Sequence, residues 1–64
     1  MPTITIETIT GRTQAQRDAL AVDVTEAVVK NYGVTPEQVV IRFTERDPDM
    51  QYRGGKTFRI IKGL

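Results

Sequence analysis

Met1-Pro2-Thr3-Ile4-Thr5-Ile6-Glu7-Thr8-Ile9-Thr10-Gly11-Arg12 opens the chain, and the rest is read outward from it. Ile4 and Ile6 alternate with Thr3, Thr5 and Glu7, the two-residue period of a half-buried strand. Pro2 stands directly behind the initiator Met1. Met aminopeptidases remove an initiator when the next residue is small, and proline qualifies, so the expected mature chain begins with a secondary amine. Such an amine can be a base or a nucleophile without a side chain. A strand starting at residue 2 holds that terminus in place, where most termini fray. Gly11-Arg12 ends the strand with a turn and a cation.

Thr13-Gln14-Ala15-Gln16 fits a capping box, in which the Thr hydroxyl and the Gln amide satisfy the first free backbone donors. The spacing predicts a helix over Ala15 to Tyr32. Ala19, Leu20, Val24, Ala27, Val28 and Tyr32 recur every three or four residues, while Gln16, Arg17, Asp23, Glu26 and Lys30 lie mostly elsewhere. Gly33 sits where a left-handed residue stops a helix. Thr35-Pro36-Glu37-Gln38 reads as a second capping box with Pro at the first helical position, one short turn. Val39 to Glu45 is the second predicted strand, with Val39, Ile41 and Phe43 on one face and Val40, Arg42 and Thr44 on the other. Asp47-Pro48-Asp49 breaks it, and Thr57 to Ile61, after Gly54-Gly55, is the expected final strand or hairpin arm.

Two strands joined by a long helix make a βαβ unit with parallel strands and a right-handed crossover. The fold class is therefore α/β, in the α+β sense, and residues 1–64 are expected to form one domain. Such a short chain buries only about 60% of its unfolded surface. With no cysteine and no histidine it lacks disulfides, thiolate metal sites and the commonest general base. Ile4, Ile6, Ile41, Phe43, Phe58 and Ile60 outnumber what one helix can cover, and both sheet edges are open. Self-association is the physical expectation.

Nine cationic and eight acidic side chains are well mixed and give a net charge of +1, so no basic stripe points to nucleic acid. No apolar run approaches a membrane span and no signal peptide is visible, so a soluble cytoplasmic protein is expected. Gly54-Gly55-Lys56-Thr57 has a Gly-Lys-Thr tail but lacks the earlier glycine of a phosphate-binding loop. Asp47 and Asp49 flank a proline, where turn chemistry explains them.

Pro2 on a short strand, Gly11-Arg12, the long amphipathic helix, the Thr44-Glu45 strand end and the Gly54-Gly55 turn together resemble the tautomerase superfamily, specifically its short 4-oxalocrotonate tautomerase type. The resemblance covers essentially the whole chain. It implies that two chains form a four-stranded sheet carrying two helices, and that three such dimers pack as a homohexamer. It also implies a cofactor-free enzyme, with no metal, that acts on a small anionic substrate. Pro2 would carry the proton, and Arg12, matching the family's arginine without a gap, would bind a carboxylate. Without the resemblance, Arg12 reads equally as a planar fork presented to a substrate carboxylate or as an exposed cation near the helix.

The second strand departs from the family, which carries an arginine where this chain has Val40. Arg42, two residues on, points to the same face about 6 to 7 Å away. Two readings stand: Arg42 takes over the missing role, across a subunit boundary, or it is a structural arginine paired with Glu45 or Glu7. Gln51 replaces the family's wall-forming phenylalanine, with Met50 before it and Tyr52 after. Tyr52 either supplies that wall and a hydroxyl or packs beneath the glycine turn. Arg46 and Arg53 add positive charge that would favour an anionic substrate.

The leading expectation is a tautomerase interconverting enol and keto forms of a small unsaturated 2-oxo acid such as 2-hydroxymuconate. The family also associates the fold with aromatic hydrocarbon catabolism. One alternative is water addition to an unsaturated acid, as in the haloacrylate dehalogenases, with Glu7 or Glu45 as the water-activating carboxylate. Another is a non-catalytic self-assembling or anion-binding domain. Retention of Met1 would turn the Pro2 nitrogen into an amide and remove its basic lone pair.

Overall fold

The computed structural model describes residues 1–57 and 59. Strand β1 spans Thr3–Ile9, helix α1 spans Gln14–Tyr32, and strand β2 spans Val40–Arg46. A short 3-10 turn, Pro36–Gln38, leads into β2, and another, Pro48–Met50, follows it. A small hairpin, β3 (Tyr52–Arg53) and β4 (Lys56–Thr57), ends the described part. β1 and β2 pair in parallel from Thr3 opposite Val40 to Ile9 opposite Arg46. The βαβ unit predicted from periodicity is present.

Helix α1 begins where its cap dictates. Thr13 Oγ1 accepts the Gln16 backbone N–H at 3.1 Å, and Gln16 Oε1 accepts the Thr13 N–H at 2.9 Å. This closed box starts the helix at Gln14, one residue earlier than the apolar spacing suggested. Gly33, at φ +69°, ends it in the left-handed conformation, with its N–H on the Val29 carbonyl at 3.0 Å. In the second box Gln38 Oε1 accepts the Thr35 N–H at 3.0 Å.

β2 starts and ends one residue later than expected. The Val39 N–H is drawn to the Pro36 carbonyl at 3.1 Å, so the turn holds that donor. The Val40 N–H is then the first to reach across, meeting the Pro2 carbonyl at 3.0 Å. At the far end the Thr10 N–H bonds the Arg46 carbonyl at 2.9 Å and keeps Arg46 in the strand. The expected final strand or hairpin arm over Thr57 to Ile61 is present in its described part as a hairpin arm, with Thr57 opposite Tyr52 and Lys56 opposite Arg53. Phe58, Ile60 and Ile61 lie outside the described residues.

Alternation and register assign the two sheet faces. Ile4, Ile6 and Thr8 share a face with their partners Ile41, Phe43 and Glu45, and α1 covers that face. Thr3, Thr5, Glu7 and Ile9 lie on the other with Val40, Arg42, Thr44 and Arg46. Nothing in the chain covers that second face among the described residues.

The cover is also incomplete on the helix side. No hydrophobic residue among the described ones is fully buried, and Leu20 and Tyr32, read as part of the apolar stripe, are 41% and 73% exposed. The radius of gyration is 15.1 Å, against roughly 11 Å for a compact chain of this length. No helix among the described residues is long and apolar enough to cross a membrane.

Candidate active site

Pro2 is held by its backbone. Its carbonyl takes the first bond of the ladder, from Val40, so the segment ahead of β1 has a fixed position. The ring is half-buried and opens on a groove of about 430 Å³ whose apolar wall is Ile4, Val24, Ala27 and Val28. Tyr32 stands at this groove, and Asn31 beside it donates its amide to the Ala27 carbonyl at 2.7 Å. Met1 is 85% exposed and so accessible to a peptidase.

Arg12 lies at the other end of β1. Gly11, at φ +121°, makes the turn that only glycine takes easily, and Arg12 emerges just before the helix cap. It borders a separate pocket of about 260 Å³ with Thr8, Gln16, Arg17, Leu20 and Phe43. Among the described residues no carboxylate forms an ion pair with it. The Arg12 carbonyl accepts a hydrogen bond from Arg17 Nη1 at 2.9 Å. That same nitrogen reaches Glu45 Oε1 at 2.7 Å, and Arg17 Nη2 donates to Gln14 Oε1 at 3.1 Å.

Arg42 is exposed on the uncovered sheet face, opposite Thr5, and Val40 lies two residues before it opposite Thr3. The structural reading of Arg42, paired with Glu45 or Glu7, is corrected: Glu45 bonds Arg17 at 2.7 Å and Glu7 bonds Arg46 at 3.0 Å. The alternation explains the first, since Glu45 points toward the helix and away from Arg42. The Glu7 hydrogen bond, and then its charge, hold the Arg46 guanidinium pKa above its usual value. Arg46 is therefore a paired residue at the end of β2.

Gln51 and Tyr52 follow the second 3-10 turn, at the end of the sheet opposite Pro2. Gln51 is half-buried, while Tyr52 is 64% exposed on the hairpin, so it does not pack beneath Gly54-Gly55. The turn itself is tied down. Asp47 Oδ1 accepts the Asp49 N–H at 2.8 Å, and Arg59 Nε donates to Asp49 Oδ1 at 2.8 Å.

One chain does not bring these residues together. Pro2 and the Gly11-Arg12 turn bracket the seven residues of β1, which at ~3.3 Å each puts roughly 25 Å between Pro2 and Thr10. A carboxylate engaged by Arg12 cannot reach Pro2 of the same chain. Sequence reasoning also set Arg17 aside as a helix-surface residue. Its side chain is only 24% exposed and turns back toward β2. The one hint was its place a helical turn beyond the cap, within reach of the Arg12 backbone.

Comparison with known proteins agrees with the architecture. The sequence model of the tautomerase enzyme family matches residues 2–60. The chain is 43% identical over 58 residues to a probable tautomerase of Bradyrhizobium diazoefficiens, covering 91% of this chain and 87% of that one. A 4-oxalocrotonate tautomerase isozyme structure from Methylibium petroleiphilum superposes with a TM-score of 0.89 at 31% identity, over 97% of both chains. A subunit of the heterohexameric 4-oxalocrotonate tautomerase from Chloroflexus aurantiacus shares the fold, with a TM-score of 0.83 at 24% identity over 91% of this chain and 94% of that one. A parallel βαβ unit with a half-buried Pro2 ahead of its first strand, matched over nearly its whole length by these proteins, belongs to the tautomerase superfamily and is 4-oxalocrotonate tautomerase-like.

Proposed function

We propose that this protein is a cofactor-free tautomerase of small unsaturated 2-hydroxy acids, with 2-hydroxymuconate as its representative substrate and Pro2, freed by removal of Met1, as the proton carrier. The observation that supports this most is the anchoring of Pro2: its carbonyl is locked into the ladder while its ring faces an apolar groove. Apolar surroundings disfavour the charged form of an amine, and a base must be uncharged to take a proton. The amine takes the enol proton, the conjugated electrons shift, and a chain carbon receives a proton from the ammonium. The amine ends as it began. Arg12 binds a carboxylate through its unpaired fork, and Arg42 stabilises the enolate as charge develops. Gln51 and Tyr52 line the mouth of the site.

The site is built from more than one chain. The distance between Pro2 and the Arg12 turn supports this, and the incompletely covered sheet invites it. A folded monomer of 7.2 kDa would expose roughly 4,100 Å², whereas this chain exposes 4973 Å². The assembly proposed is the homohexamer, a trimer of dimers, that the resemblance to the 4-oxalocrotonate tautomerases implies. Glu7 and Glu45 are both held by arginines, which favours proton shuttling over activation of water by either carboxylate.

The test is ketonisation of 2-hydroxymuconate by the Met-processed protein and by Pro2→Ala, side by side, with intact mass confirming loss of Met1. Activity in the first and its loss in an equally assembled Pro2→Ala supports the reading. Equal activity in both refutes Pro2 as the proton carrier. Inactivity of both toward this and related unsaturated acids leaves an anion-binding assembly as the better account.

A further inference from the structure

The Arg12 carbonyl precedes the helix cap, so no helical N–H is available to it, and Gly11 next to it imposes little restraint. The bond that holds it is the one from Arg17 Nη1 at 2.9 Å. Arg17 is in turn fixed by Glu45 Oε1 at 2.7 Å and Gln14 Oε1 at 3.1 Å. One guanidinium thus joins three parts of the fold: the turn after β1, the first turn of α1 and the end of β2. The pair is more sheltered than the Glu7–Arg46 pair on the open face, with side chains 24% and 31% exposed against 50% and 53%. A planar fork can serve several fixed acceptors at once, which a point charge on a flexible stem does less well.

We infer that Arg17, held by Glu45, is a positioning residue that fixes the Arg12 backbone and so the direction from which the Arg12 guanidinium meets the substrate carboxylate. The inference rests on the carboxylate-binding role proposed for Arg12. In this role Arg17 acts through Arg12, although both border the same pocket. A carboxylate gripped alike in the ground and transition states contributes uniform binding, so loosening the grip raises KM and spares kcat. A general weakening of the fold would not give that split.

The experiment is a double-mutant cycle in the Met-processed, full-length protein with 2-hydroxymuconate: Arg17→Met, Arg12→Ala and the two combined. Arg17→Met is expected to raise KM about tenfold while kcat stays within about twofold, the pattern of lost uniform binding. In the Arg12→Ala background the same change should add almost nothing, because the residue it positions is gone. An equal effect in both backgrounds, or a loss in kcat with KM unchanged, overturns the inference and leaves the role of Arg12 standing. An unchanged KM in Arg12→Ala alone overturns that role, and the inference falls with it. If circular dichroism shows Arg17→Met misfolded, Glu45→Gln replaces it in the cycle. That variant loosens Arg17 without removing it and should give a smaller KM rise, again absent without Arg12. A Glu45→Gln effect that persists without Arg12 counts against positioning.

Discussion

Mixing two impaired variants, Pro2→Ala and Arg12→Ala, should restore activity at low substrate, and the amount follows from the geometry. Pro2 and the Arg12 turn sit at opposite ends of β1, roughly 25 Å apart along the strand. A six-carbon diacid is far shorter, so a site using both residues takes them from different chains. In a Pro2→Ala oligomer no site has the amine, and in an Arg12→Ala oligomer no site has the carboxylate fork. When equal amounts of the two chains are co-refolded and assemble at random, each site draws its Pro2 and its Arg12 independently. About one site in four then carries both native residues, and the mixture should regain about a quarter of the unmodified activity. The assay is 2-hydroxymuconate ketonisation with substrate well below KM, where a weakened carboxylate grip shows as lost rate. Each variant refolded alone supplies the background. A mixture no more active than the sum of its components, with mixed oligomers verified by mass, would refute the shared site.

Two further outcomes follow from single contacts. Arg42→Ala should lower kcat by about a hundredfold, the usual loss when one oxyanion donor is removed. Adding Val40→Arg to that variant should recover part of it, because both positions share the uncovered sheet face; no loss in Arg42→Ala would remove Arg42 from the mechanism. Thr13→Ala breaks the capping box at the Gln16 N–H (3.1 Å) and should cost about 1 kcal/mol. At fixed protein concentration that should lower Tm by about 4–8 °C, and an unchanged thermal transition would mean the cap contributes nothing in the assembled state.

Much of the fold was legible because its signals are local. The alternation of Ile4 and Ile6 with threonines needs only the pleat of a strand to be read, and the Thr13–Gln16 box needs only one turn of helix. Gly33 stops α1 for a reason internal to its own backbone. Parallel pairing followed because a long helix between two strands leaves no other short connection. The errors of one residue at the start of α1 and at both ends of β2 come from competition for single donors, such as Val39, which alternation cannot register. Tyr52 was ambiguous for a similar reason, since a hairpin of two-residue strands has no periodicity to read.

The amino-acid order alone determined which side chains are available: a proline directly behind Met1, arginines for anions, and no histidine or cysteine to compete. It also determined, through residue alternation, that Arg42 and Val40 share a face. Only the tertiary structure decided which carboxylate each arginine meets. Glu45 went to Arg17 and Glu7 to Arg46, leaving Arg42 and Arg12 without an ion pair among the described residues. It decided as well that Arg17 turns back to the Arg12 carbonyl and the end of β2. Ion pairing depends on distances of a few ångströms between groups far apart in sequence, which residue alternation does not set.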